Sequence, residues 1–193
     1  MKILKTDTKN FDKSIIGEAI EVMANGGVIL YPTDTVYGLG ANIFNRNAVK
    51  KIFQIKNRSP LKPLSILISS KKAIDIVAKV DVEDKKIIDK YLPGPYTFIL
   101  NKTTVVPRTV TGGLTKVGVR VPDYNIACQL ANLFPIITTS ANLTNEETLN
   151  NPEDILKQLD VDVDLVIDVG ELENNNPSTI VDLTSDKPVF TKR

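Results

Sequence analysis

The sequence predicts an α/β protein whose central sheet mixes parallel and antiparallel strands, with helices packed on the sheet. Three observations carry this. Short apolar runs bounded by proline, glycine or asparagine recur along the chain as strands. Longer stretches with apolar residues every three or four positions lie between many of them. Some neighbouring strands have no helix between them, which a purely parallel sheet does not allow. In order, Asp12 to Ala24 reads as an amphipathic helix with Ile15, Ile16, Ala19, Ile20 and Met23 on one side, stopped at Gly26-Gly27. Val28 to Tyr31 reads as a strand ended by Pro32, Asn47 to Lys56 as a helix, Leu64 to Ile68 as a strand and Lys71 to Lys79 as a helix. Asp81 caps a helix to about Tyr91, closed by Pro93-Gly94-Pro95. Strands follow at Tyr96 to Leu100 and Val117 to Val121, a helix at Ile126 to Leu133, and a strand at Ile136 to Thr139. Pro152 to Leu159 is helical, and Leu165 to Val169, Thr179 to Leu183 and Val189 to Thr191 are strands.

The 193 residues, 42% of them hydrophobic, suit one domain spanning 1–193 with a substantial core. No apolar run approaches the roughly 20 residues that span a bilayer. Met1 leads into Lys2-Ile3-Leu4-Lys5 without an apolar leader, and Cys128 is the one cysteine. A cytoplasmic protein without disulfides or membrane contact is expected. The chain has no histidine, which excludes a Ser-His-Asp triad, a histidine acid or base, and a histidine-ligated zinc. Its chemistry must use lysine, arginine, carboxylates, hydroxyls and amides, or a metal bound by oxygen ligands.

A net charge of +1 conceals a polarised chain. Residues 1–120 carry 20 basic and 10 acidic side chains, and residues 121–193 carry 4 and 13. Between Asp34 and Asp75 stand Arg46, Lys50, Lys51, Lys56, Arg58, Lys62, Lys71 and Lys72 with no acid. Such a run marks either an anion site or a basic surface. The phosphate-loop signals are weak. Gly112-Gly113-Leu114-Thr115-Lys116 lacks the spacing of a P-loop, and Gly38-Leu39-Gly40 lacks a third glycine. Asp160, Asp162, Asp164 and Glu171 imitate a calcium loop, but Leu165 stands where that loop needs glycine.

Three segments are more informative. The loop Tyr31 to Gly40 crowds Thr33, Asp34, Thr35 and Tyr37 beyond the end of a strand, where α/β sheets bind ligands. Lys56-Asn57-Arg58, with Lys62 following, closes the basic helix, where a lysine point charge and an arginine fork can converge on phosphates. Thr138-Thr139-Ser140-Ala141-Asn142 places hydroxyls and an amide at the end of a strand. Taken singly, each also reads as an ordinary turn or cap.

Lys56-x-Arg58 paired with a distant Ser140-x-Asn142 resembles the signature of the YrdC/TsaC-type threonylcarbamoyl-AMP synthases. Val28 to Gly40, Lys56 to Pro60 with Pro63-Leu64, and Pro93 to Thr97 resemble blocks of that family in order. So do Val119 to Pro122, Ser140 to Leu143 and Pro177 to Asp182. Where relatives often carry a histidine after the basic segment, this chain has Leu67, and Thr144-Asn145 replaces a common Ser-Gly. The long linker and second domain of some relatives have no counterpart before Arg193.

The resemblance implies a twisted sheet with a concave, positively charged cleft. It implies synthesis of threonylcarbamoyl-AMP from L-threonine, bicarbonate or CO2, and ATP with Mg2+. It places Lys56, Arg58 and Lys62 on phosphates and carbamate, and Ser140 and Asn142 on the nucleotide. Thr35, Arg120 and Ser178 are placed on threonine, Arg120 through the carboxylate, and Thr33 and Tyr37 complete that loop's candidates. Asp34 is a candidate base. No residues are expected to hold a resident metal. Partners implied are tRNA in the cleft and a tRNA threonylcarbamoyltransferase complex receiving the product. Two other readings are a carbamoyl-adenylate-forming enzyme of the hydrogenase-maturation type and a non-catalytic RNA-binding module.

Overall fold

The computed structural model describes residues 1–173 and 176–192; Arg193, where the sequence stops, lies outside the described residues. Among the described residues eleven strands form one mixed sheet: β1 (Lys2–Lys5), β2 (Ile29–Tyr31), β3 (Gly38–Gly40), β4 (Ser65–Leu67), β5 (Ala78–Lys79), β6 (Tyr96–Lys102), β7 (Lys116–Arg120), β8 (Ile136–Ser140), β9 (Leu165–Asp168), β10 (Thr179–Asp182) and β11 (Val189–Thr191). Their order is β1-β9-β2-β3-β8-β4-β7-β6-β10-β11, with β5 on the far end of β6. β1–β9, β2–β9, β4–β7 and β6–β10 are parallel, whereas β2–β3, β3–β8, β4–β8 and β6–β7 are antiparallel. The mixed sheet is as the sequence predicts.

Alternation along the strands divides the core between the two faces. Leu30, Phe98, Val119, Ile137 and Val166 face one cluster, and Ile29, Tyr31, Leu67, Ile136 and Ile167 the other. Helices α1 (Lys13–Ala24) and α5 (Asn125–Leu130) cover the second cluster through Ile16, Ala19, Met23, Ile126 and Leu130. The first takes α2 (Arg46–Ile55), α4 (Val82–Tyr91) and α6 (Pro152–Leu159). Each fully buried leucine or isoleucine contributes about 1.5–3 kcal/mol. The caps follow local chemistry. Asp12 accepts from Ser14 N–H and Asn45 from Asn47 and Ala48, while Asp81 and Asp84 form a reciprocal capping box.

Several expectations change in detail. The helix expected over Lys71 to Lys79 is a 3-10 turn (Lys71–Ala73), a single helical turn α3 (Ile74–Val77), and then β5. Pairing of Ala78 with Lys102 and Lys79 with Asn101 extends the sheet and outweighs helix propagation there. β1 and β3 were not expected. β3 forms because Gly38 and Gly40 leave room for the Tyr31 ring on the neighbouring strand. A Cβ on Gly40 would lie 2.9 Å from Tyr31 Cε1. The basic run is also divided. Lys51 pairs with Asp164 and Lys71 with Asp89, so both are surface ion pairs rather than site residues. The Lys51 pair and an N–H from Val28 occupy Asp164, the third aspartate of the rejected calcium loop.

Candidate active site

The Lys-x-Arg segment is shaped by how α2 ends. Asn57 adopts a left-handed conformation (φ 47°), which asparagine tolerates better than most residues. The N–H of Arg58 reaches back to Phe53 O at 2.9 Å and that of Asn57 to Gln54 O at 3.0 Å, a Schellman closure. The turn sends Lys56 inward and leaves Arg58 at the start of the loop to Pro63.

Lys56 is 3% exposed. Its ammonium donates to Ser140 O, to Asn142 O at 2.6 Å and to Asn142 Oδ1 at 3.1 Å. Its carbonyl accepts from Thr144 N–H at 3.0 Å and Thr144 Oγ1 at 2.7 Å. Ser140 Oγ donates to Asn142 Oδ1 at 2.6 Å, and Asn142 Nδ2 donates to Glu146 O at 2.7 Å. One lysine therefore clasps the 140–146 loop from side chain and main chain together. Arg58 donates from Nε to Lys62 O at 3.3 Å and from Nη2 to Pro63 O at 2.9 Å. Burial lowers its pKa, yet a guanidinium remains charged at any physiological pH.

Lys56, Arg58, Lys62, Arg120, Ser140, Asn142 and Ser178 line one cavity of about 450 Å3, which also takes in Val36, Ser65, Thr97, Thr138 and Glu146. Four cations and one carboxylate, Glu146, face it among the described residues. Its floor is a row of small polar positions across one sheet face. Ser65 is registered with Thr138 and with Gly118. A Cβ on Gly118 would meet Ser65 Oγ at 2.5 Å and Thr97 Cγ2 at 3.2 Å, so a glycine keeps this floor open. Tyr31 supports it from below, donating to Thr138 Oγ1 at 3.0 Å. Burial pushes the Tyr31 phenol up to about 12, which keeps it a neutral donor.

At the end of β7, Arg120 is 5% exposed. Its Nη2 donates to Asp34 Oδ1 and, at 2.7 Å, to Thr35 Oγ1, while its buried Nε has no partner among the described residues. Asp34 Oδ2 accepts the Asp123 N–H at 3.0 Å. Both carboxylate oxygens thus already accept hydrogen bonds, and Asp34 lies outside the cavity. It holds Arg120 in place, a different task from the base considered from sequence.

Thr33, Asp34 and Thr35 face a separate recess of about 310 Å3 on the other side of their loop. Tyr37 is a strut: its hydroxyl donates to Gly170 O at 2.8 Å and accepts from Val169 N–H at 3.0 Å. Of the residues expected around threonine, the structure brings Arg120 and Ser178 into the cavity and leaves Thr33, Thr35 and Tyr37 behind its wall. Leu67, at the position where relatives often carry histidine, is fully buried in the second core cluster. Thr97 and Glu146 were not singled out from sequence. Thr97 sits in the run Tyr-Thr-Phe-Ile-Leu, and only its register beside β7 and β10 reveals its role.

A cationic cavity at strand ends, with hydroxyls and amides along its floor, defines a site for an anionic, polar ligand on an α/β sheet. The Sua5/YciO/YrdC family model, described as "Telomere recombination", matches residues 21–193, and this chain belongs to that family. A Methanocaldococcus jannaschii protein named putative threonylcarbamoyl-AMP synthase is 39% identical over 96% of this chain and 89% of its own. The structure of Pyrococcus abyssi Sua5 complexed with L-threonine superposes with a TM-score of 0.92 at 35% identity, covering 98% of this chain and 56% of that one. Escherichia coli YciO gives a TM-score of 0.91 at 33% identity, covering 100% and 96%. The chain thus spans a little over half of the P. abyssi protein and nearly all of the other two. Among the described residues no helix is long and apolar enough to cross a membrane.

Proposed function

We propose that this protein makes threonylcarbamoyl-AMP from L-threonine, bicarbonate and ATP. The observation that carries the reading is that a single cavity joins a phosphate-type wall to an amino-acid-type wall. Arg58, Lys62 and the Lys56-braced Ser140–Asn142 loop line it together with Arg120, whose Nε has no partner among the described residues. The names of the M. jannaschii relative and of the threonine-bound Sua5 structure support it.

In this reading the substrate carboxylate pairs with Arg120. The neutral amine attacks bicarbonate to give a carbamate and water. A carbamate oxygen then bonds to the α-phosphorus as the bond to the β-phosphate oxygen breaks and pyrophosphate leaves. Negative charge grows on the phosphates, so stabilisation is mainly electrostatic, from Arg58, Lys62 and the positive field of Lys56. Ser140 and Asn142 shape the nucleotide side. Glu146 is the one carboxylate that lines the cavity among the described residues, and in this reading it receives the proton that the threonine ammonium must lose. Mg2+ enters as part of the nucleotide substrate. One carboxylate, an amide oxygen and hydroxyls suit its water shell better than they would a resident ion.

The working place we propose is the cytoplasm, with hand-off to a tRNA threonylcarbamoyltransferase complex. Direct tRNA contact draws support from the cations Arg46, Lys50, Arg58 and Arg108 around an adjoining groove of about 670 Å3, which has no acid among the described residues but is also lined by Val49, Phe53 and Pro60. Such contact would weaken steeply with salt.

Purified protein should release pyrophosphate from ATP only when threonine and bicarbonate are both supplied. Equal release without threonine would overturn the assignment. Release with carbamoyl phosphate in place of both would favour the hydrogenase-maturation chemistry.

Asp34→Asn tests its role as the positioner of Arg120. Loss of a charge-assisted bond worth about 1.5–3 kcal/mol should raise the KM for threonine about tenfold or more. The kcat and the KM for ATP should change little. A fall in kcat at unchanged KM, with loss of the acid limb of the pH profile, would instead make Asp34 the base.

A further inference from the structure

We infer that the buried pair Thr97–Ser178 is the element that reads the β-hydroxyl of the amino-acid substrate, with Thr97 a specificity-determining residue; this rests on the amino-acid reading of the cavity. The argument is a count of hydroxyl protons. Thr33 Oγ1 donates to Val36 O at 2.6 Å, so in its 3.0 Å contact with Thr35 Oγ1 the proton must come from Thr35. Thr35 in turn accepts from Arg120. That chain runs from Arg120 through Thr35 and Thr33 to a carbonyl, and it has no proton left to donate. It also lies behind the cavity wall, facing the other recess.

The Thr97–Ser178 pair is open. Both residues are buried and line the cavity, and their oxygens are 2.8 Å apart. That contact uses one of two hydroxyl protons, and neither side chain has another hydrogen bond among the described residues. One hydroxyl proton of the pair therefore has no protein acceptor among the described residues and faces the cavity, where a ligand hydroxyl can answer it in place of water. The sheet places the pair beside the carboxylate site. β6 and β7 are antiparallel with Phe98 opposite Val119, which sets Thr97 across from Arg120 on the same face. β10 runs parallel with Ile180 beside Thr97, and Ser178 precedes it on that face. An amino acid whose carboxylate meets Arg120 can thus present a short polar side chain to the pair. Val36, also lining the cavity, offers apolar surface for a methyl group.

Thr97→Val keeps the β-branched shape that suits a buried strand and removes only the hydroxyl. Binding of threonine, serine and valine to the wild type and to Thr97→Val is measured by calorimetry, without ATP. The wild type should bind threonine at least tenfold more tightly than valine. Thr97→Val should lose most of that preference by weakening threonine while valine holds or improves. Ser178→Ala provides a second variant if Thr97→Val folds poorly, as judged by its melting temperature. An unchanged threonine-to-valine ratio in a folded variant, or no preference in the wild type, overturns the inference. Threonine binding with the expected preference but no threonine-dependent pyrophosphate release would leave this inference standing and remove the proposed reaction.

Discussion

Lys56→Met should lower both stability and activity, a double effect that a surface phosphate contact would not produce. Methionine matches the length of the lysine stem but removes the ammonium. Ser140 O, Asn142 O and Asn142 Oδ1 then lose a charged donor inside a water-poor wall. A buried acceptor left unsatisfied costs about 1–3 kcal/mol, and water entering from the cavity recovers part of this. A net loss of about 2–4 kcal/mol follows, which for a domain of this size lowers the melting temperature by about 4–16 °C. The Ser140–Asn142 turn is assembled around that ammonium, so turnover should fall by a hundredfold or more, in the range seen when a site loses one preorganised electrostatic group. Thermal melting and pyrophosphate release on the same preparation check both parts. A variant that melts like the wild type while losing activity would show that the carbonyl contacts contribute little and that Lys56 acts on phosphate alone.

Lys56, Arg58, Ser140 and Asn142 were legible as a group, and the structure does bring them together. The division of labour was not. The family resemblance, not residue types or spacing, puts the lysine and the serine–asparagine turn in one site. None of these shows that the lysine is buried and bonded to main-chain carbonyls, because backbone acceptors leave no trace in side-chain patterns. The Thr33–Tyr37 loop differs from the expectation in its placement. Its hydroxyls suggested a binding loop, and they are hydrogen-bonded, but to one another, to Arg120 and to main chain behind the cavity. Thr97 was hidden because one hydroxyl in an apolar strand looks like ordinary β propensity, and only cross-strand register sets it opposite Arg120. At the level of elements, helix starts marked by Asp12, Asp81 and Pro152 were legible because caps are local. β3 and β5 were not, since three and two residues gain their strand character from neighbours distant in sequence.

Arg58→Ala should separate from Lys56→Met in one respect: the fold should be nearly unaffected. Arg58 stands in the loop after α2, and its protein partners are two carbonyls of that same loop, at Lys62 and Pro63. Both carbonyls belong to exposed residues and can turn to water, so the stability change should stay within about 1 kcal/mol. Activity should fall about a hundredfold to a thousandfold, because the guanidinium is the planar donor best placed to follow charge as it moves onto the departing pyrophosphate. Burial on one side strengthens such contacts by lowering the local dielectric. Arg58→Lys keeps the charge but not the fork. It also cannot hold Lys62 O and Pro63 O while reaching a phosphate, so it should recover only a small part of the loss. Steady-state pyrophosphate release over a range of ATP concentrations, with melting temperatures in parallel, distinguishes the outcomes. Near-normal turnover in a folded Arg58→Ala protein would move the phosphate-binding role to Lys62 and the groove cations, and the two-walled cavity would need a different occupant on its cationic side.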